Sequence, residues 1–150
     1  MKLTENVYNR IVATQKQHIR LKALFFENFK RGAEFLTDEE APIKGLTLTP
    51  SLEGNYFDIS YLDMQIRFAF FTYYGADDVL TGKVVALRKI TALTSITDVI
   101  GNFSFDIDET TDFEVAEGDK KIEIGYRSKD ILLHFIELAI LKPMTLPATS

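Results

Sequence analysis

Apolar side chains in the N-terminal part of the chain recur at helical spacing. Val7, Ile11, Leu21 and Phe25 lie three or four residues apart, or at sums of these intervals, and so share one face of a helix. This pattern predicts one long helix from about Glu5 to Leu36. An adjacent apolar row widens this stripe and comprises Tyr8, Val12, Ile19, Ala23 and Phe26. A stripe this wide requires a sheet or a partner helix to cover it.

From Gly45 onwards the apolar period changes to two, which is the spacing of β-strands. The run from Met64 to Tyr74 has apolar side chains on both faces, which predicts a central strand. Pro50 is predicted to break the first strand, and residues 91–101 suit either a short helix or a strand. The remaining predicted strands are Leu46–Thr49, Phe57–Tyr61, Lys83–Ile90, Asn102–Ile107, Phe113–Ala116 and Lys121–Tyr126, with a hairpin turn at Glu117-Gly118-Asp119.

A final helix is predicted from Ser128, as its N-cap, to about Leu141. Its positions are almost all apolar, so it must be buried on several sides, either within this chain or between two copies of it. The short connections between strands require antiparallel pairing. The predicted fold is therefore a single α+β domain over residues 1–150, with a long N-terminal helix, an antiparallel β-meander of about six to seven strands and a buried C-terminal helix.

The composition is that of a globular protein with one domain. The chain has 150 residues, of which 46% are apolar, so folding buries a sizeable core. It has no Cys, which excludes disulfide scaffolds and thiol nucleophiles and is typical of a reducing compartment. The N-terminus has no signal-peptide pattern, and the apolar run Ile131–Leu141 is too short to span a bilayer. We expect a cytoplasmic protein with no membrane contact and no cofactor.

Charge is distributed unevenly along the chain, whose formal net charge is −5. Residues 1–32 hold seven bases and two acids, a balance of +5, and the remainder holds ten bases and twenty acids, a balance of −10. Such asymmetry is found in proteins that bind nucleic acids or membranes, and also where a basic helix lies against an acidic sheet rim. A sequence pI near 5.1 opposes phosphate binding and disfavours nucleic acid as a partner.

The segment Phe105–Thr111 resembles the first motif of haloacid-dehalogenase-type phosphatases, in which a strand ends in Asp-x-Asp-x-Thr. The resemblance covers seven residues and implies Asp106 as the nucleophile and Asp108 as the acid/base, both facing Mg²⁺. That family requires a parallel α/β sheet and further motifs downstream. Only about forty residues follow here, and they predict an antiparallel hairpin and one helix instead.

The same segment matches part of a calcium loop, but a Thr stands where the sharp turn requires Gly. We therefore interpret it as an acidic, solvated strand edge and turn, since edges use charge to prevent unwanted pairing. The carboxylates of this segment are the candidate surface for a basic protein partner, and they are Asp106, Asp108, Glu109, Asp112, Glu114 and Glu117.

The segment Arg67–Tyr73 resembles the aromatic motif of RNA-recognition domains, in which aromatic residues on a sheet surface stack on bases. The Gly that follows the leading Arg in that motif is absent, and the companion strand would fall inside the long helix. The sequence favours a central core strand. On the last helix, Asp130, His134 and Glu137 share one face, which predicts the solvated stripe of an otherwise buried helix.

The sequence offers no complete catalytic set, so we expect a non-catalytic binding protein rather than an enzyme. Its expected partner is another protein, held through the acidic surface, as in chaperone, immunity or inhibitor proteins. A homo-oligomer formed through the C-terminal helix is a further expectation.

The alternative is a small-molecule binder or a modest enzyme with a pocket between a curved sheet and the first helix. A cavity of several hundred cubic ångströms, lined by Asp130, His134 or Asp106, would favour this alternative. The residues expected to line the pocket are Phe68, Phe70, Tyr73 and Tyr74.

Overall fold

The computed structural model describes residues 2–41, 43–90, 92, 97–113 and 124–143. Its elements are α1 (Lys2–Thr37), β1 (Thr47–Ser51), β2 (Tyr56–Tyr61), β3 (Met64–Tyr74), β4 (Leu80–Ile90), β5 (Thr97–Phe105) and α2 (Ile124–Leu141). The strands form one antiparallel sheet in the order β1-β2-β3-β4-β5, in which each strand pairs with the next. The predicted α+β fold, with a helix at each end of an antiparallel meander, is confirmed.

Both helices pack on the same face of the sheet. α1 contacts β1, β3 and β4, α2 contacts β3 and β5, and the two helices contact each other. The Phe25 ring of α1 stacks on Phe70 with 5.1 Å between ring centroids, and Phe68 meets Phe135 of α2 edge-on at 5.6 Å. Burial of one such side chain contributes roughly 1.5–3 kcal/mol, so this aromatic layer is a main source of stability. The fully buried rings are Phe25, Phe29, Phe57, Phe68, Phe103, Phe105 and Phe135.

α1 extends past the end of the sheet. Its inward face buries Leu21 completely, whereas Val7 and Ile11 on that same face are 48% and 62% exposed. The Thr14 hydroxyl contacts the hydroxyl of Tyr74, the last residue of β3, so the sheet stops near this turn of the helix. The predicted long helix is confirmed, and only its C-terminal part is packed on the sheet.

The sheet has five strands among the described residues, rather than the predicted six to seven. Pro50 lies inside β1 and does not break it, because β1 is an edge strand and an edge tolerates proline. The ambiguous residues 91–101 contribute the start of β5 at Thr97, and a bulge between Ala86 and Leu87 interrupts its pairing with β4. β5 ends at Phe105, so the predicted strand Asn102–Ile107 ends two residues too late.

The chain after β5 departs further from the prediction. Phe113 lies outside the strands, and the rest of the predicted strand 113–116 and the turn at 117–119 lie outside the described residues. Within the predicted strand Lys121–Tyr126, the assignment is wrong from Ile124 onwards, because α2 begins there. Ser128 is consequently inside the helix rather than its cap, and it is buried where α2 meets Gly32 of α1.

α2 is covered mainly by its own chain. The predicted burial of this helix is confirmed, and a second copy is not needed to cover its apolar face, so the homo-oligomer stays a prediction. None of the helices in the described ranges is both long and apolar enough to cross a bilayer. The side chains of α2 that are at most 3% exposed are Ile131, Leu132, Phe135, Ile136 and Ala139.

A buried arginine of β4 closes the C-terminal end of α2. Arg88 donates from Nη1 to the carbonyl oxygens of Ala139 at 2.9 Å and Lys142 at 2.6 Å. Its Nη2 donates to the carboxylate of Asp98 on β5 at 2.7 Å. A cation at a helix C-terminus satisfies orphan carbonyls and opposes the negative end of the helix dipole. This contact fixes α2 to the edge of the sheet.

Candidate functional site

Two carboxylates of the predicted acidic surface hold the turn after β5 together. Asp106 accepts hydrogen bonds at Oδ1 from the backbone N–H groups of Asp108 and Thr110, both at 3.0 Å. Asp112 accepts one from the backbone N–H of Ser104 at 2.7 Å. Carboxylates that accept backbone N–H groups in this way order a turn.

A third carboxylate joins the same turn to α1. Glu109 accepts a hydrogen bond at Oε1 from the Nδ2 of Asn28, a buried residue of α1, at 3.1 Å. Asp108 and Asp112 are the exposed members of the described set, and Glu114 and Glu117 lie outside the described residues. The structure thus brings Asp106, Asp108, Glu109 and Asp112 together in one turn. Their contact with a partner stays a prediction.

The surroundings of this turn differ from those that the phosphatase resemblance implies. That family places its motif at the end of a strand in a parallel sheet, whereas every strand pair of the sheet described here is antiparallel. Among the described residues, no group of three or more His, Cys, Asp or Glu side chains is arranged to hold a metal ion.

The polar stripe predicted on α2 is only partly solvated. The His134 ring packs edge-on against Phe113, with centroids 4.9 Å apart, and against Phe135 at 5.3 Å. Asp130 and His134 are half-buried and Glu137 is exposed. His134 is a packing residue in this arrangement.

Between the first helix and the end of the sheet lies a cleft of about 440 Å³, lined by Arg10, Tyr74 and Asp78. The other aromatic residues predicted to line a pocket there do not line this cleft. Phe68 and Phe70 are 0% and 4% exposed and fill the space between β3 and α1. Tyr73 points to the opposite face of the sheet, because successive side chains of a strand alternate. The four aromatic residues of the prediction therefore cannot line one cavity.

Another cleft, of about 520 Å³, lies at the C-terminal end of α1, between that helix, the loop that follows it and α2. This volume is within the range of small-molecule and side-chain binding sites. Phe35 stands at its rim and is 63% exposed. The apolar residues of the cleft are Phe35, Leu36, Ala41, Ile43 and Leu133, and its charged residues are Asp38, Glu40, Lys129 and Asp130.

The electrostatics of this cleft favour a cation. The last turn of α1 has no basic residue, and Asp38, Glu39 and Glu40 follow it directly. A helix C-terminus carries a partial negative charge, so each acid placed there lowers the stability of the helix by about 0.3–1 kcal/mol. The Lys129 ammonium lies 4.4 Å from the centroid of the Phe35 ring, which shows that this ring accepts a cation on its face.

Sequence reasoning missed this cleft. No binding role was predicted for Phe35 or for the acidic triplet Asp38-Glu39-Glu40. The signal was nevertheless in the sequence, because three acids after a helix whose last turn has no base contradict the usual charge preference.

No protein-family model, curated protein or solved structure matches this chain. Conclusions about its function therefore rest on the geometry and charge of its own surfaces.

Proposed function

We propose that the protein is a non-catalytic binding protein, whose cleft at the end of α1 receives a basic and apolar segment of another protein. The observation that carries this proposal is the combination, in one cleft of about 520 Å³, of apolar lining residues with the carboxylates of Asp38 and Glu40. The nearby end of the α1 dipole adds to their negative potential.

Arginine and lysine side chains have the chemistry that such a cleft selects. Their alkyl stems pack on apolar surface while the charged head stays near carboxylates and water. The Phe35 ring holds the Lys129 ammonium 4.4 Å from its centroid, and a guanidinium or ammonium group of the partner would take the place of Lys129 on that ring. A neighbouring apolar residue of the partner would pack on Ile43 and Leu133, which also line the cleft.

The acidic turn after β5 is the second part of the proposal. Asp108 is exposed there, and its carboxylate would attract a basic partner at longer range without forming the main contact. Chaperone, immunity or inhibitor roles are all compatible with such a surface. A cytoplasmic location and assembly through α2 remain predictions.

The test is fluorescence anisotropy with a labelled peptide that alternates arginine and leucine, and with a matched peptide that alternates glutamate and leucine. We expect only the basic peptide to bind. Asp38→Asn and Glu40→Gln should each weaken binding about threefold, since each removes a surface charge at the helix end. Phe35→Ala should weaken it about tenfold, since it removes both apolar area and the cation–π contact.

Two control variants separate the cleft from other surfaces. Glu53→Gln removes an exposed carboxylate from the β1–β2 turn, and Tyr8→Ala removes an exposed ring from α1, so neither should alter binding. Equal binding of both peptides, or unchanged binding by the cleft variants, would refute the proposal. If Asp108→Ala abolishes binding while Phe35→Ala does not, the acidic turn is the binding surface and the cleft is not.

A small organic amine is the second candidate ligand, favoured by the volume of the cleft, about 520 Å³, and by Asp130 in its lining. Calorimetric titration with arginine amide distinguishes the two. Saturable binding of the amine at the same affinity as the basic peptide would assign the cleft to a small molecule.

A further inference from the structure

The face of the sheet opposite the helices carries its own chemistry, beyond the proposed cleft. We call it the outer face. On β3 the outward side chains are Gln65, Arg67, Ala69, Phe71 and Tyr73, because their neighbours Phe68 and Phe70 point into the core. Phe71 and Tyr73 are 48% and 39% exposed, and their ring centroids are 6.2 Å apart.

The outward positions of the described strands carry more bases than acids, although the chain as a whole has a net charge of −5. By strand alternation its bases are Arg67 on β3 and Lys83 and Lys89 on β4, and Lys83 is directly opposite Phe71 in the register. The one outward acid on the described strands is Asp58 of β2, which is paired with Arg67. On the strands the balance is therefore three bases against one acid, while Asp77, Asp106 and Asp112 line a cleft next to Ser104, which is opposite Lys83 in the register.

Arg67 is fixed in place as part of a flat surface. Its Nε and Nη2 donate to the two carboxylate oxygens of Asp58 at 2.9 and 3.0 Å. Its guanidinium carbon lies 3.6 Å from the centroid of the Tyr56 ring. The hydrogen bonds to Asp58 raise the pKa of Arg67, which stays a cation at any physiological pH.

A shallow depression on the outer face lies beside these groups. It has a volume of about 150 Å³ and is lined by Gln65, Arg67, Leu87, Lys89 and Thr97. The Gln65 Nε2, like Arg67, donates to Asp58, at 2.6 Å, whereas Lys89 forms no ion pair among the described residues and would attract an anionic group such as a phosphate. Arg67, which lines the depression, is four residues before Phe71 on β3, a distance of about 13 Å along the strand.

We propose that the outer face binds a single-stranded nucleic acid, with bases stacked on Phe71 and Tyr73 and a backbone phosphate in the depression between Arg67 and Lys89. Exposed rings beside a basic groove are the features with which proteins hold single strands. The two exposed rings favour this occupant over an acidic protein segment, because nucleobases supply flat faces that stack on both rings while the phosphates meet the cations. In a duplex the base faces are stacked on one another, so they are not available to stack on Phe71 and Tyr73.

The test is fluorescence anisotropy with a labelled oligothymidylate of about twelve nucleotides in low salt. Binding should weaken steeply as salt rises, and the double variant Lys83→Gln/Lys89→Gln should reduce the slope of log affinity against log salt by about 1.4. Phe71→Ala/Tyr73→Ala should weaken binding by about tenfold for each ring. Circular dichroism should show that both double variants stay folded, because the replaced side chains are on the surface.

Two matched controls distinguish the outer face from other sources of binding. Tyr8→Ala removes an exposed ring from α1, and Lys16→Gln/Arg20→Gln removes two exposed bases from that helix. The proposal would be overturned if the α1 variants lost binding, or if Phe71→Ala/Tyr73→Ala bound oligothymidylate as tightly as the unmodified protein. Polyglutamate tests for an acidic protein, and equal binding of polyglutamate and oligothymidylate would overturn it too. Absence of any anisotropy change in low salt would do the same.

Discussion

Gly32 sets the distance between the two helices, and its replacement by alanine tests both the packing and the cleft. A Cβ at this position would lie 2.9 Å from the backbone nitrogen of Lys129 and 2.9 Å from the Ser128 Oγ. Gly32 lies inside α1. Its role is to let the backbone of α2 approach closely.

Two opposing effects determine the stability of Gly32→Ala. Alanine favours a helix over glycine by about 1 kcal/mol. Against this, the helices must separate by about 0.5 Å to restore an ordinary contact of 3.4 Å, and the closest atoms include rigid backbone. Overpacking of this kind costs about 1–3 kcal/mol. We expect a net loss of about 1 kcal/mol, or about 2–4 °C in melting temperature for a chain of this size.

Denaturant unfolding of Gly32→Ala beside Ala23→Gly measures the two effects separately. Ala23 is an exposed residue of α1, so its replacement by glycine reports helix propensity alone and should cost about 1 kcal/mol. If Gly32→Ala stabilises the protein by as much as Ala23→Gly destabilises it, the helices do not touch at Gly32. Peptide binding provides a second readout, because Lys129 lines the cleft and would move with α2.

Two further predictions concern the end of α2 and the acidic turn, and denaturant unfolding tests both. Ile136→Ala should lower the free energy of unfolding by about 2–5 kcal/mol, because Ile136 is 3% exposed. Ile140→Ala should lower it far less, because Ile140 is 47% exposed. Equal losses in the two variants would contradict the placement of the helix. Asp106→Ala should cost about 1–2 kcal/mol, since it removes two hydrogen bonds to backbone N–H groups, while Asp108→Ala should change stability by less than about 0.5 kcal/mol. Equal stability of those two variants would show that Asp106 does not hold the turn.

The period of apolar residues was enough to predict α1 and the central strands, because the apolar residues of each recur at the spacing of that type of element, even where they stay exposed, as at Val7 and Ile11. It was misleading around Ile124, where apolar and polar residues alternate as in a strand but the chain starts a helix. Pro50 was misjudged for a related reason. Whether proline breaks a strand depends on whether that strand lies at an edge, and strand order is a property of the whole sheet.

The candidate sites depend on which side chains converge, and sequence gives this only in part. The carboxylates near Asp106 are close in sequence and were identified as a group, but their hydrogen bonds to backbone N–H groups were not foreseeable from composition. Arg88 occupies an inward position of β4, where a base is not expected, and only the tertiary contact with the end of α2 explains it. Phe35 and Lys129 are far apart in sequence and meet only because the helices cross.

The balance of charge along the chain gave the wrong impression of where cations lie. The segment after residue 32 has a balance of −10, yet it supplies Arg67, Lys83 and Lys89 to the outer face. The two proposed surfaces thus have opposite charge and belong to opposite layers of the fold. Substitutions in one surface should leave binding at the other unchanged. Phe35→Ala should therefore bind oligothymidylate as tightly as the unmodified protein does. Phe71→Ala/Tyr73→Ala should bind the basic peptide as tightly as the unmodified protein does. Loss of both activities in either variant would instead indicate a general loss of structure.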